Sequence, residues 1–153
     1  DTNGSVRKMN ACCLVLKLRL GFFRHEKNGE EGVTYDEYNE FCRSLPATSY
    51  VVQWGDSHVW KVGGKVFGIG GWEKSDQPAF TFKASELNFE ILRDEPGFRP
   101  APYMAARGMK WIQQYDALEN EDEQLRYYLK ESHRIVSQGL TKKKQKELGL
   151  NQD

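Results

Sequence analysis

The sequence has little cysteine and histidine, and it lacks any long apolar run. Its three cysteines, Cys12, Cys13 and Cys42, form neither a CxxC pair nor an even set, which is typical of a reducing compartment rather than a disulfide-bonded secreted domain. The three histidines are too far apart in the chain to indicate a zinc site. No apolar run approaches the roughly 18 residues of a membrane span. We therefore expect a cytoplasmic protein with no metal, no cofactor and no membrane partner.

The charges are balanced, with 22 Lys and Arg against 22 Asp and Glu. The overall charge therefore gives no reason to expect nucleic acid or an anionic membrane as a partner. Residues 1–32 hold six basic and four acidic side chains, so residues 33–153 carry a net charge of −2. Any basic surface on the second part of the chain has to be a local patch.

Residues 1–32 differ in character from the rest of the chain. A polar start is followed by CLVLKLRLGFF, in which leucines alternate with other residues, and then by the charged, glycine-punctuated RHEKNGEEG. We expect this segment to be a dispensable extension, with an ordered edge strand as the alternative. The remaining residues, 33–153, are predicted to form a single domain.

The order of periodic segments predicts an α+β fold. Thr34 and Glu37 form a capping-box pair ahead of a short amphipathic helix that ends before Pro46. Three runs rich in β-branched and aromatic residues follow, and PAFTFK and MKWIQ are further strands. Shorter helices follow Ser85 and Thr141, and a long helix covers 122–138. The prediction is an antiparallel sheet of about five strands with helices packed on one face.

The glycine-rich stretch HVWKVGGKVFGIGGW, residues 58–72, resembles a phosphate-binding loop only superficially. A Walker loop needs Ser or Thr after GK, but Val66 follows Gly64-Lys65. A dinucleotide-binding loop has to open a helix, and no helix is predicted after Gly70. Gly63-Gly64 between two strand-like runs instead predicts a tight β-hairpin turn.

The hairpin turn predicts which residues pair and which face they share. Val62 is expected opposite Lys65, Trp60 opposite Phe67, and His58 opposite Ile69. His58 is then a hydrogen-bonded buried or rim residue rather than a catalyst. The residues expected on the helix-covered face are Trp60, Val62, Phe67, Ile69, Phe80, Phe82, Met109 and Trp111. The residues expected on the open face are Lys61, Lys83 and Lys110.

Four stretches of the sequence carry a family resemblance: TYDEYNEFCRSLPATSYVVQWGDSHVWKVGGKVFGIGGW, PAFTFKAS, PGFRPAPYMAARGMKWIQ and SHRIVSQGLTKKKQKELGL, which together span about residues 33–150. They resemble the MmcQ/YjbR family of small bacterial proteins. The resemblance implies a CyaY-like α+β fold. It also implies the family label of DNA-binding protein, which rests on likeness to a double-wing DNA-binding fold. It supplies no catalytic residues.

The first functional hypothesis is a non-enzymatic module that binds DNA. In this hypothesis the open sheet face lies along the duplex, its lysines contact phosphates, and the Gly-Gly hairpin acts as a wing. The candidate binding residues are Lys61, Lys65, Lys83, Arg99, Arg107, Lys110, Lys142, Lys143 and Lys144. The alternative for each of these residues is a solvated surface charge, because the acidic run ENEDE balances the basic run KKKQK.

Two other classes of function remain open. A protein-interaction or small-ligand module is suggested by an aromatic content that exceeds the obvious need of a small sheet. The residues concerned are Trp54, Trp60, Trp72, Trp111 and Tyr103, of which Trp72 is expected to be partly exposed. An enzyme is the weakest interpretation, because no nucleophile and base pair is visible and the carboxylates of Asp36, Glu37 and Glu40 are typical of a solvated helix face.

Overall fold

The computed structural model describes residues 33–71, 78–116 and 122–152. The proposed dispensable extension, residues 1–32, lies outside these ranges, as does Trp72. The described helices are α1 Tyr35–Ser44, α2 Glu86–Leu92, α3 Asp122–Gln138 and α4 Lys142–Leu148, with a 3-10 turn at Ala105–Arg107. The strands are β1 Thr48–Gln53, β2 Ser57–Val62, β3 Lys65–Gly70, β4 Phe80–Lys83, β5 Phe98–Pro100 and β6 Trp111–Gln114.

The strands form one antiparallel sheet in the order β1-β2-β3-β4-β6-β5. The described sheet has six strands where about five were predicted. The additional strand is β5, in a segment that the sequence indicated as a loop. Three residues are too few to show an alternating pattern, and Pro100 is tolerated there because β5 is an edge strand.

The helix ends follow the predicted capping signals. The Glu37 backbone N–H donates to Thr34 Oγ1 at 3.1 Å, and Thr34 N–H donates back to Glu37 Oε1 at 3.2 Å. Helix α1 ends at Ser44, two residues before Pro46. Ser85 and Thr141 each accept a backbone N–H and so cap α2 and α4.

The described helices and one face of the sheet share a hydrophobic core, so the predicted two-layer α+β fold is confirmed. Tyr38 of α1 and Leu129 of α3 pack in the same cluster as Phe82 of β4 and Ile112 of β6. Phe82 and Tyr128 stack with their rings nearly parallel, 5.5 Å apart. We call the face that carries Phe80, Phe82 and Ile112 the helix face, and the opposite side the second face.

The hairpin turn is confirmed, but the register beyond it is shifted by a β-bulge. Val62 pairs with Lys65 as predicted, whereas Trp60 pairs with Gly68 rather than Phe67. The bulge inserts one extra residue, so Phe67 and Gly68 both face the helices. His58 therefore pairs with Gly70, and Ile69 lies on the second face between Val59 and Thr81. The prediction that Ile69 faces the helices was wrong.

The face assignment of Trp111 was also wrong. Trp111 pairs with Lys83 and lies on the second face, while Ile112 pairs with Phe82 on the helix face. Met109 precedes the strand and is exposed. Because Trp111 and Ile112 are both large and apolar, the sequence alone does not show which of them faces the helices.

The close approach of Tyr38 explains why two positions of β3 are occupied by glycine. A Cβ atom at Gly70 would lie 2.8 Å from Tyr38 Cε2, and one at Gly68 would lie 3.1 Å from the Tyr38 hydroxyl. The same hydroxyl donates to the carbonyl of His58 at 3.0 Å. These glycines therefore let α1 pack directly on the sheet backbone, a common role of glycine inside strands.

Ser132 of α3 joins β3 to β4 where their direct pairing ends. Its hydroxyl donates to the carbonyl of Phe67 at 2.6 Å and accepts the backbone N–H of Lys83 at 2.8 Å. The last paired residues of the two strands are Gly68 and Phe82. Ser132 therefore supplies the connection that a further direct backbone hydrogen bond would otherwise make.

The two turn glycines differ in their surroundings, which gives a matched test of the hairpin. Both have positive φ, +58° at Gly63 and +84° at Gly64, but only a Cβ at Gly63 meets another group, Leu140 Cδ1 at 2.5 Å. We expect Gly64→Ala to cost about 1 kcal/mol for the left-handed backbone. Gly63→Ala should cost about 2 kcal/mol, because Leu140 also has to move. Urea unfolding of both variants measures the difference in stability. Equal losses of stability would contradict the contact between Gly63 and Leu140.

Candidate functional site

Most of the predicted binding residues lie toward one end of the sheet, which we call the hairpin end. The β2–β3 turn marks this end of the sheet. Lys83 lies at the last position of β4, and its partner Trp111 opens β6. Lys110 and Arg107 precede Trp111 in the chain. Residues from three separate parts of the sequence therefore lie toward the same end of the sheet.

The hairpin tip packs against helix α4 at this end. Gly63 lies against Leu140, which precedes α4, and against Leu148, the last residue of the helix. The hairpin and α4 together carry five exposed lysines, one on the hairpin and four on the helix. Glu147 is the acidic residue of α4. We call them the lysine cluster: Lys65, Lys142, Lys143, Lys144 and Lys146. Within the described ranges, none of the five forms an ion pair.

The second face of the sheet is not open at its centre. Val59, Ile69 and Thr81 lie there with no exposed area, and Gln113 is buried as well. Lys61 and Lys83 are on this face and are half-buried. The prediction of a continuous open face that presents lysines is therefore wrong for the middle of the sheet.

Lys110 does not share a face with Lys61 and Lys83. Its ammonium group lies 4.7 Å from the ring centre of Phe89, a core residue of α2, which is the geometry of a cation–π contact. The predicted trio of lysines is thus divided between two sides of the sheet.

The two predicted arginines lie beyond the lysine cluster. Arg99 Nε donates to Gln113 Oε1 at 2.9 Å, and its guanidinium group lies 4.9 Å above the ring of Tyr115. This side chain is held on the second face. Arg107 is exposed in the 3-10 turn, which is capped by Gly108 in the left-handed conformation.

The aromatic residues of the alternative hypothesis fall into two groups. Trp60 and Trp111 are buried, whereas Trp54 and Tyr103 are exposed. Trp54 continues a run of exposed apolar side chains along β1 that the sequence interpretation missed. The run could have been noticed because β1 contains no charged residue.

His58 is half-buried and hydrogen-bonded, as predicted. Its Nδ1 lies 2.7 Å from the hydroxyl of Tyr50, and the two rings are stacked with an interplanar angle of 18°. The Asn39 side-chain amide is 3.5 Å from the same nitrogen and accepts the indole N–H of Trp60 at 2.9 Å. His58 therefore orders the aromatic side chains between α1 and β1.

The buried ionisable groups have a structural role. Cys42 has no exposed area, and burial raises the pKa of its thiol, so it behaves as a small apolar residue rather than a nucleophile. Burial also raises the pKa of Tyr38 and lowers that of His133, whose Nε2 donates to the carbonyl of Pro46 at 2.8 Å.

A cleft of about 420 Å³ at the hairpin end lies between the end of β4 and the start of β6. Its charged lining residues are Lys83, Glu86 and Lys110, and Ser85 Oγ accepts the N–H of Asn88 as the cap of α2. In the part of the chain that the structure describes, no three metal-ligating side chains come together. The same part contains no helix long and apolar enough to cross a membrane.

Among the described residues, a six-stranded antiparallel sheet with four helices on one face and a lysine-bearing hairpin defines a small α+β domain. The model of the YjbR family matches residues 43–135, and the chain belongs to that family. It is similar to the crystal structure of Deinococcus radiodurans protein DR2400, a DUF419 domain, with 25% sequence identity and a TM-score of 0.64. The match covers 76% of this chain and 88% of that one. No curated protein matches the sequence.

Proposed function

We propose that this protein is a non-enzymatic, cytoplasmic module that binds duplex DNA through the lysine cluster at the hairpin end. The observation that carries the proposal is the contact of Gly63 with Leu140 and Leu148, which packs the hairpin that carries Lys65 against the helix that carries the other four lysines. The family resemblance supplies the choice of DNA among polyanions. The hairpin then has the position of a wing beside a basic helix.

The charges at this end favour a phosphate backbone as the ligand. Five exposed lysines accompany one glutamate in the hairpin and α4, although the whole chain is neutral. Lysine side chains near phosphates release counterions from the duplex, so the expected affinity falls steeply with salt. Backbone contacts carry no sequence information, and we therefore expect little sequence preference.

Charge reversal on α4 tests this proposal. The double variant Lys142→Glu with Lys143→Glu should weaken binding to duplex DNA by about tenfold or more and flatten the salt dependence by about one unit of slope per lost phosphate contact. Acidic residues are favourable in the first turn of a helix, so α4 should stay folded. Fluorescence anisotropy of a labelled duplex over a range of salt concentrations measures both effects.

The matched control reverses two exposed charges that do not belong to the lysine cluster. Arg93 follows α2 and Lys130 lies on α3, and both are exposed. Arg93→Glu with Lys130→Glu changes the net charge by the same amount and should leave affinity nearly unchanged. Equal losses in the two double variants would show a diffuse charge effect and would refute the assigned surface.

The hairpin itself gives an independent measurement. Lys65→Glu should weaken binding in the same direction, because the tip is packed beside α4. If the wild type bound DNA only weakly and with an affinity independent of salt, the proposal of DNA binding would be refuted, whatever the variants showed.

A further inference from the structure

Strand β1 has the properties of an edge open to pairing. It is the first strand in the sheet order and, among the described residues, it pairs only with β2. Its sequence, TSYVVQ, has neither a charged residue nor a proline, and the structure shows no bulge between it and β2. Natural edge strands usually carry one of these features to prevent pairing with another chain.

An apolar stripe runs along this edge. Tyr50 is 41% exposed, Val52 is 48% exposed, and Trp54, just beyond the strand, is 50% exposed. Tyr50 and Val52 lie on the helix face, because they pair with Trp60 and His58. The hydrogen bond from Tyr50 to His58 Nδ1 at 2.7 Å fixes one of these side chains in place. The edge is therefore apolar and partly ordered before any partner binds.

The strand is complementary to itself in the antiparallel sense. A two-fold axis through Val51 places Tyr50 of one copy opposite Val52 of the other, and the reverse pair on the other side of the axis. Aromatic and β-branched residues are favourable neighbours across antiparallel strands. The same register keeps the helix faces of both copies on one side of the extended sheet.

The exposed charges of α1 beside this edge are complementary to those of a second copy. Asp36, Glu40 and Arg43 are exposed and follow one another at helical spacing. The Arg43 guanidinium lies 5.6 Å from the ring centre of Trp60, the residue of β2 that pairs with Tyr50 of β1, so this flank of α1 lies over the β1–β2 side of the sheet. Because a two-fold axis reverses the direction of α1, the acidic end of one flank approaches the basic end of the other.

We propose that two copies of this chain associate through β1, forming one continuous antiparallel sheet with a two-fold axis at Val51. The interface consists of backbone hydrogen bonds between the two β1 strands, two Tyr50–Val52 contacts and the flanks of α1. It is separate from the lysine cluster, so association and DNA binding are measured independently.

Sedimentation equilibrium of the full chain at low ionic strength tests the association. The wild type should approach twice the 17.7 kDa of one chain as concentration rises through the micromolar range. Val52→Lys should shift it to the mass of a single chain, because a charge placed on the edge blocks strand pairing. Leu87→Lys is the control, since Leu87 is 67% exposed on α2, and it should associate like the wild type.

Cysteine cross-linking tests the register. In a chain with Cys12 and Cys13 replaced by serine, Val51→Cys should form a disulfide-linked dimer on mild oxidation, since opposed residues lie about 4.5–5.5 Å apart. Ser49→Cys should not, because its counterpart is displaced by about 13 Å along the strand. A wild type that stays a single chain, a Val52→Lys variant that still associates, or equal cross-linking at 49 and 51 would each overturn the proposal.

Discussion

Tyr38→Ala is expected to lower the free energy of unfolding by about 3–5 kcal/mol, the range measured for loss of a large buried aromatic side chain. Tyr38 has no exposed area and packs 5.0 Å from the ring of Phe80. Its removal leaves a cavity that β3 cannot fill, because Gly68 and Gly70 have no side chains there. Urea unfolding followed by tryptophan fluorescence measures the loss.

A conservative variant distinguishes the contribution of the Tyr38 ring to stability from that of its hydroxyl. Tyr38→Phe keeps the ring and removes the hydroxyl with its hydrogen bond to the His58 carbonyl, so a loss of about 1 kcal/mol is expected. If alanine and phenylalanine destabilised the protein equally, the packing of the ring on the two glycines would not be the source of the stability.

Ser132→Ala is expected to cost about 3 kcal/mol, an unusually large loss for the removal of one hydroxyl. Without Oγ, the N–H of Lys83 and the carbonyl of Phe67 both lose their partner, and each unsatisfied buried group costs about 1–3 kcal/mol. Amide hydrogen exchange at Lys83, together with urea unfolding, measures the local and the global effect.

A second serine of the same helix provides the comparison. Ser137 is also buried, but its hydroxyl donates to the carbonyl of Arg134 within α3 and accepts from the exposed side chain of Asn151, so neither of its partners is in the sheet. Ser137→Ala should therefore lose about 1 kcal/mol. Equal stability losses at 132 and 137 would show that the hydrogen bonds of Ser132 to β3 and β4 contribute no more than those of another buried serine.

The helices could be predicted because their signals are local. Thr34 with Glu37, Ser85 and Thr141 each cap a helix through a hydrogen bond three residues along the chain. The Gly63-Gly64 turn was predicted for the same reason, since positive φ is a property of the turn itself. Contacts of this kind are encoded within a few residues.

The register and the site depend on contacts between distant segments, and these were predicted less well. The bulge between Trp60 and Lys61 shifted Ile69 to the second face. Gly68 lies opposite Trp60, and glycine inside a strand is typical of a bulge, but it does not by itself fix the position of the extra residue. The contact of Gly63 with Leu140 brings together residues far apart in the chain, so the sequence placed Lys65 and the lysines of α4 in one hypothesis without indicating that the hairpin tip packs against that helix. The closed centre of the second face was missed because Thr81 and Gln113 are polar, and a polar residue in a strand does not by itself indicate burial.

The packing of Tyr38 on Gly68 and Gly70 has a consequence for how sequences of this fold can vary. A side chain at either glycine occupies the space of the tyrosine ring, so a substitution there is compatible with the fold only if the residue at 38 becomes smaller. Among relatives, position 38 should therefore change together with positions 68 and 70, although they lie on different elements. The glycines that at first suggest a nucleotide-binding loop would then be recognisable, in an alignment, as one half of a helix-to-sheet contact.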